Sequence, residues 1–217
     1  LALKIGVIGA TGMAGSAITK AALDQGIEVT AFIRNEEKAR GMFGDQPTYR
    51  VIDVFDIGKP DIADLDVVVD AFWPGHDPKN VDQHLELAQH LVDLVKGSDK
   101  PRLFFILGAA SLNIGGGKQL LDQLETLPNK EQWIATPRAQ HKEYNFLLQT
   151  KDVNWVAISP SRTFKPGDFA PYELGHNDVL TNAEGKSEVT SGTVGRVIVD
   201  EIMNPAHHNE RFTVVNK

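Results

Sequence analysis

The chain contains no cysteine. Disulfides, thiol nucleophiles and thiolate metal sites are therefore excluded. That composition fits a reducing cytoplasm, the expected location, as it fits any compartment. No apolar run approaches the length of a membrane span, and the first residues enter a strand pattern at once. Neither a membrane association nor a signal peptide is expected. Basic residues are in the minority: 22 Lys and Arg stand against 29 Asp and Glu, a net charge of −7, with no long basic run. This argues against nucleic acid as the main partner but not against an anionic cofactor, because local dipoles and a few cations decide that. The seven histidines and the carboxylates form no His-Glu-x-x-His or similar ligand spacing, so no metal is expected. A Gly-x-Ser-x-Gly elbow is absent too, which argues against an α/β-hydrolase. Internal repeats and low-complexity tracts are also missing. What remains, 41% hydrophobic and 24% charged over 217 residues, is the composition of one globular domain spanning residues 1–217.

Against these absences one stretch stands out, Lys4-Ile5-Gly6-Val7-Ile8-Gly9-Ala10-Thr11-Gly12-Met13-Ala14-Gly15-Ser16. A short apolar run meets glycines 9, 12 and 15, and an apolar helix pattern (Ala17, Ile18, Ala21, Ala22, Leu23) follows. Strand, glycine turn and helix form the phosphate-binding corner of a dinucleotide fold. Gly9 lets the chain turn off the strand, Gly12 leaves the backbone open to a pyrophosphate, and Gly15 lets the helix pack close. The phosphates then meet free N–H groups at the positive end of the helix dipole. Gly9, Thr11, Gly12, Met13 and Gly15 are the cofactor-binding candidates of this corner.

Glu28-Val29-Thr30-Ala31-Phe32-Ile33 reads as the second strand. Where NAD-binding members of such folds place an acid for the ribose 2′-hydroxyl, this chain has Arg34. An arginine fork pairs with a 2′-phosphate, so NADP(H) is favoured over NAD(H). Stacking on adenine, or plain solvation, is the competing role for Arg34. A third strand over residues 49–52 leads to Asp53, which either accepts from an adenine amino group or starts a turn. Residues 66–72 are nearly all apolar in their middle, as in a parallel strand buried on both faces. They deliver Phe72 and Trp73 to the carboxyl edge, where ligands bind in this fold; Trp73 could equally anchor the next helix. Residues 81–95 have helical spacing, and their histidines, His84 and His90, read as surface or boundary positions. The next buried strand, 102–107, ends in Gly108-Ala109-Ala110-Ser111, small residues that admit a nicotinamide ring. Residues 113–117 read as a mobile glycine-rich loop. A helix over 137–149 carries His141, which either hydrogen-bonds a substrate or faces solvent. A sixth strand, 153–158, leads into a loop in which Pro160, Ser161 and Phe164 are substrate-side candidates, part of a region at 159–195. A helix over 194–203 and a strand over 212–215 close the chain. The fold class is α/β: a doubly wound, mostly parallel sheet with helices on both faces.

The sequence resembles the NADH-flavin reductase group of atypical short-chain dehydrogenase/reductases, related to NmrA-like and biliverdin/flavin reductase proteins. The resemblance covers nearly the whole chain. It is carried by Ile8 through Gly15 in the Gly-x-x-Gly-x-x-Gly form, Ile33-Arg34-Asn35, Arg102 through Gly108, Trp155 with Ser159-Pro160, Phe164-Lys165-Pro166-Gly167, Tyr172-Glu173-Leu174-Gly175, Asp200-Glu201, and His207 with Arg211-Phe212-Thr213-Val214. It implies a Rossmann-like fold and an NAD(P)H-dependent reductase whose acceptor is a flavin (FMN, FAD or riboflavin), bound as a substrate rather than a prosthetic group. Quinone or carbonyl reduction on the same scaffold, or an NmrA-like non-catalytic sensor, are the rival functions. Ser111 falls near the substrate-positioning serine of short-chain dehydrogenases, and Ser111 and His141 are the catalytic candidates. The Tyr-x-x-x-Lys pair of active short-chain dehydrogenases is missing, since Leu148 stands four residues after Tyr144 and Arg138 four before Lys142. Two substrate-side departures from the family are Phe169-Ala170-Pro171 in place of a frequent Thr-Gly, and the lack of a tyrosine near Val194. The family's name points to NADH, whereas Arg34 points to NADPH. Oligomeric state is not fixed by any of these features.

Overall fold

The structure, a computed structural model, describes residues 2–217. In chain order the elements are β1 (Lys4–Ile8), α1 (Met13–Asp24), β2 (Glu28–Ile33), α2 (Glu36–Phe43), β3 (Thr48–Val51), α3 (Lys59–Ile62), β4 (Val67–Asp70), α4 (Gln83–Val95) and β5 (Ser98–Ile106). Then come β6 (Asn113–Gly115), β7 (Lys118–Gln119), α5 (Leu120–Leu124), α6 (Ala135–Leu148), β8 (Val153–Ser159), β9 (Thr163–Lys165), β10 (Tyr172–Gly175), β11 (Glu188–Thr190), α7 (Ser191–Met203) and β12 (Arg211–Asn216).

Eight strands form one sheet in the order β10-β12-β8-β5-β4-β1-β2-β3. Every neighbouring pair is parallel except β10 with β12 at the edge. The expected doubly wound, mostly parallel Rossmann-like sheet is therefore observed. The chain winds outward from β1 through β2 to β3, then returns to β1's other side with β4. That reversal opens a crevice at the carboxyl ends of β1 and β4, the general ligand position in open α/β sheets.

The central strands read as unbroken apolar runs because both of their faces are covered. In β4, Val67 and Val69 join a core with Ile18, Val194 and Ile198, from α1 and α7. Val68, between them, joins the opposite core with Leu87 and Leu91 of α4 and Leu147 of α6. The helices α1 and α7 approach closely at Gly195, where an added Cβ would lie 2.7 Å from the Ala17 carbonyl oxygen. A buried ion pair, Arg102 Nη2 to Glu201 Oε2 at 2.8 Å, ties β5 to the end of α7.

Two segments differ from expectation. Residues 113–117 are not a loose loop: β6 and β7 form a small antiparallel hairpin, turned through Gly115, Gly116 and Gly117, all at positive φ. A three-glycine turn looks flexible in sequence, yet these conformations are ones that glycine adopts without steric cost. The loop after β8 contains a strand, β9, paired in parallel with β11, a partner more than twenty residues away that no local pattern announces.

Candidate active site

The site is built from the glycine turn outward. Gly9 sits at φ +73, and a Cβ there would meet the Ala71 carbonyl oxygen at 2.6 Å. Its own carbonyl accepts the Gly12 N–H at 3.0 Å, closing the turn. Gly12 is the N-cap of α1, with no side-chain cap and no acid in the first turn. By contrast Asn35 caps α2 and Thr190 caps α7 through their side chains. A twelve-residue helix left uncapped beside a crevice keeps its first-turn N–H groups for an anion. A Cβ at Gly12 would meet only the Gly9 carbonyl oxygen, at 3.4 Å, so its open side faces the crevice.

From this turn a cleft of about 760 Å³ runs along the carboxyl ends of β1, β4, β5 and β8. It is lined by Gly12 and Met13, by Phe72 and Trp73, by Gly108, Ala109 and Ala110, and by Pro160, Ser161 and Phe164. These ten sequence candidates are thus brought together. Trp73 is 48% exposed and packs its ring edge-on to His76 and His84, so it borders the cleft rather than anchoring the core. Ser161 donates its hydroxyl proton to the Val214 carbonyl at 2.6 Å. Gly9 and Gly15 lie beneath the turn, and Thr11 is half-buried within it.

Four candidates stand apart from the cleft lining. Arg34 is exposed at the end of β2. Asp53 Oδ1 accepts the Phe55 N–H at 2.9 Å and so starts a turn, one of the two roles open to it. Ser111 is 2% exposed and accepts from Arg211 Nη1 at 2.7 Å. His141 Nε2 lies 2.6 Å from Gln119 Oε1, and its Nδ1 lies 3.2 Å from Asn145 Nδ2. Those partners suit a neutral ring protonated at Nε2, and burial pulls its pKa down in the same direction. Arg211 lies over the Tyr144 ring, 4.2 Å from its centroid.

Of three ionisable residues that the sequence left unassigned or placed elsewhere, Asp70 and His84 line this cleft, and the third, Glu143, feels the charge of Asp70. Asp70, the last residue of β4, lines the cleft while only 8% exposed. Burial raises its pKa to about 7, against the opposing pull of the Phe72 N–H. Glu143 of α6 is 2% exposed, with Oε1 unpartnered; burial, then the Asp70 charge, hold its carboxyl well above the ordinary range. His84, read from the sequence as a surface or boundary position, is 5% exposed and lines the cleft, and burial pushes its pKa down to about 4. The signals were faint but present. Asp70 ends an apolar run, and Glu143 lies midway between Ala139 and Leu147 at a spacing of four, on the buried face of its helix.

Away from the cleft, His176, His207 and Glu210 bring potential ligand atoms within 4.8 Å of one another. His207 Nδ1 already pairs with Glu210 at 2.6 Å.

A model of the NAD(P)H-binding family matches residues 9–205, most of the chain. The chain belongs to the NAD(P)H-binding family. Among relatives in this group, the uncharacterised Bacillus subtilis (strain 168) protein YwnB is 34% identical over 221 residues, covering 99% of each chain. A Lactobacillus casei protein of known crystal structure is 33% identical, covers 99% of both chains and superposes with a TM-score of 0.92. A Streptococcus pneumoniae TIGR4 protein, SP1627, carries the provisional name NADH-flavin reductase; it is 28% identical with a TM-score of 0.89, over 99% of this chain and all of that one. The matched residues include those that line the cleft.

Proposed function

We propose that this NAD(P)H-binding chain is a reductase that passes hydride from NADPH to a flavin, or to a similar planar acceptor, bound as a substrate. The observation that carries the reading is the shape and lining of the cleft. One cleft of about 760 Å³ takes in residues from the glycine turn to Phe164, with both small and aromatic residues in its lining. When bound, the nicotinamide supplies the hydride chemistry; the protein's contribution is distance and orientation.

In this reading the first-turn N–H groups of α1 hold the pyrophosphate, and Arg34 pairs with the 2′-phosphate. Gly108, Ala109 and Ala110 let the nicotinamide lie close to the backbone. Phe72, Trp73, Pro160, Ser161 and Phe164 hold the acceptor over it. Ser111 and His141 act from behind the wall, by holding Arg211 and Gln119 in place. A flavin needs no Tyr–Lys acid, because its proton can come from water, which accords with the missing pair. The provisional name of the pneumococcal relative supports the same acceptor.

The test follows absorbance at 340 nm with FMN, FAD, riboflavin and a quinone offered separately against NADPH and NADH. Flavin-dependent oxidation is expected, with NADPH preferred. Arg34→Ala is expected to lower kcat/KM for NADPH about tenfold and leave NADH nearly unchanged, the loss of one charge-assisted pair. Micromolar NADPH binding without turnover on any acceptor would overturn the reading in favour of a cofactor-binding sensor.

A further inference from the structure

Asp70 and Glu143 form the least ordinary feature of the cleft. Asp70 lies between Ile8 of β1 and Phe105 of β5 in the sheet, and one carboxylate oxygen accepts the Phe72 N–H at 3.1 Å. Its small exposed area borders the cleft. Glu143 approaches from α6, close enough that a charge on Asp70 raises its affinity for a proton. Among the described residues neither acid has an ion-pair partner. The neighbouring elements supply none. From α4 comes His84, a buried ring held neutral, with Nε2 unpartnered. The segment after β4 brings His76, which packs on Trp73. From α6 comes Tyr144, whose ring is covered by Arg211. Arg211 itself donates to Ser111, Ser159 and Asn177. Adjacent β1 and β5 offer Ile8 and Phe105. Two buried acids without a cation cannot both be ionised, so the pair holds protons beside the cleft.

We propose that Asp70 and Glu143 are a proton-storing carboxyl pair that supplies the counter-charge for the oxidised nicotinamide. The pair keeps its proton beside a neutral, reduced ring and releases it when the cationic ring occupies the cleft. One carboxyl O–H bond breaks, its electron pair stays on the carboxylate oxygen, and the proton passes to solvent. No electron moves in this step. During turnover the released proton matches the one that the acceptor needs after taking hydride. The inference rests on the reading that the nicotinamide lies in this cleft.

The test is calorimetry of the intact protein with NADP⁺ and with NADPH, repeated with NAD⁺ and NADH, in buffers of differing ionisation enthalpy between pH 6 and 8. The dependence of binding heat on buffer counts the protons exchanged. The 2′-phosphate titrates in both NADP⁺ and NADPH and cancels from their difference. NADP⁺ is expected to release more protons than NADPH at pH 6–7, and the NADP⁺-to-NADPH affinity ratio to rise about fivefold per pH unit there. Asp70→Asn is expected to abolish both effects while both cofactor forms still bind, and Glu143→Gln to move the transition along the pH axis. Equal proton counts for the two forms across this range would overturn the proposal, and the wild-type protein alone is enough to show it. If neither form binds, the cofactor-cleft reading fails instead.

Discussion

Gly15→Ala is expected to remove measurable NADPH binding and to lower the free energy of unfolding by about 3 kcal/mol or more, the upper end for overpacking. The added Cβ would lie 1.9 Å from the Gly9 carbonyl oxygen, 2.7 Å from the Gly9 carbonyl carbon and 3.0 Å from Ala10 Cα. All three are backbone atoms, so no side chain can rotate away. Gly9 cannot retreat, because the position a Cβ would take there is already closed off by Ala71 and Phe72. Relief must come from lifting α1 off β1, which displaces the N–H groups at the cleft and unpacks α1 from α7. Two controls separate the effects. Gly12→Ala meets only one atom, at 3.4 Å, and should weaken NADPH binding about a hundredfold with the fold nearly unchanged. Gly26→Ala has no neighbour within 4 Å but sits at φ +74, and should cost about 1 kcal/mol without touching affinity. Urea titration and NADPH fluorescence measure both quantities. A Gly15→Ala protein that binds NADPH within tenfold of wild type would mean the turn is not the phosphate cradle.

Where the sequence was legible, the reason is local physics. Gly9 and Gly15 are each required by a contact made within a few residues or across adjacent strands, so the glycine spacing announces strand, turn and helix. Val67–Val69 and Leu103–Phe105 advertise a doubly covered sheet because an apolar run with no polar alternation has no solvent face. The place of Gly108–Ala110 in the cleft lining followed from the same frame. What stayed hidden depends on long-range neighbours. Ser111 reads as a substrate-positioning hydroxyl, and no local pattern announces that Arg211, a hundred residues later, donates to it. His84 reads as a boundary residue because its helix is amphipathic, but the Trp73 loop folds over it. Glu143 sits at a core position of α6, and only the tertiary structure shows that the charge of another acid, Asp70, acts on it. These are the positions where a local rule is broken, and His84 among them lines the cleft, where broken rules are expected to have a use.

The buried acids and His84 should also be visible in the stability of the ligand-free protein, with opposite signs. Asp70 moves from 3.8 to about 7 on folding, so between those values the native state holds more protons than the unfolded chain. Its contribution is greatest below the unfolded value and is lost as pH rises through about 7, on the order of 4 kcal/mol in all. Glu143 shifts in the same direction and adds to the loss. His84 moves from 6.5 down to about 4, so the unfolded chain binds the extra proton. Its contribution is complete above the unfolded value and is lost as pH falls towards about 4, on the order of 3 kcal/mol. The two effects partly cancel across their shared window, and the wild-type curve conceals both. Differences between variants uncover them. Asp70→Asn is expected to match wild type near pH 4 and to exceed its stability increasingly up to pH 8, since asparagine can still accept the Phe72 N–H. His84→Gln is expected to gain on wild type as the pH falls from 7 to 4.5. Surface carboxylates such as Asp61 and Asp66, whose shifts run the other way, are common to all three proteins and drop out of the comparison. Urea unfolding at half-unit steps of pH supplies the curves. An Asp70→Asn difference that stays constant from pH 4 to 8 would show that Asp70 is already ionised in the folded protein, and the carboxyl pair would then have no proton to release.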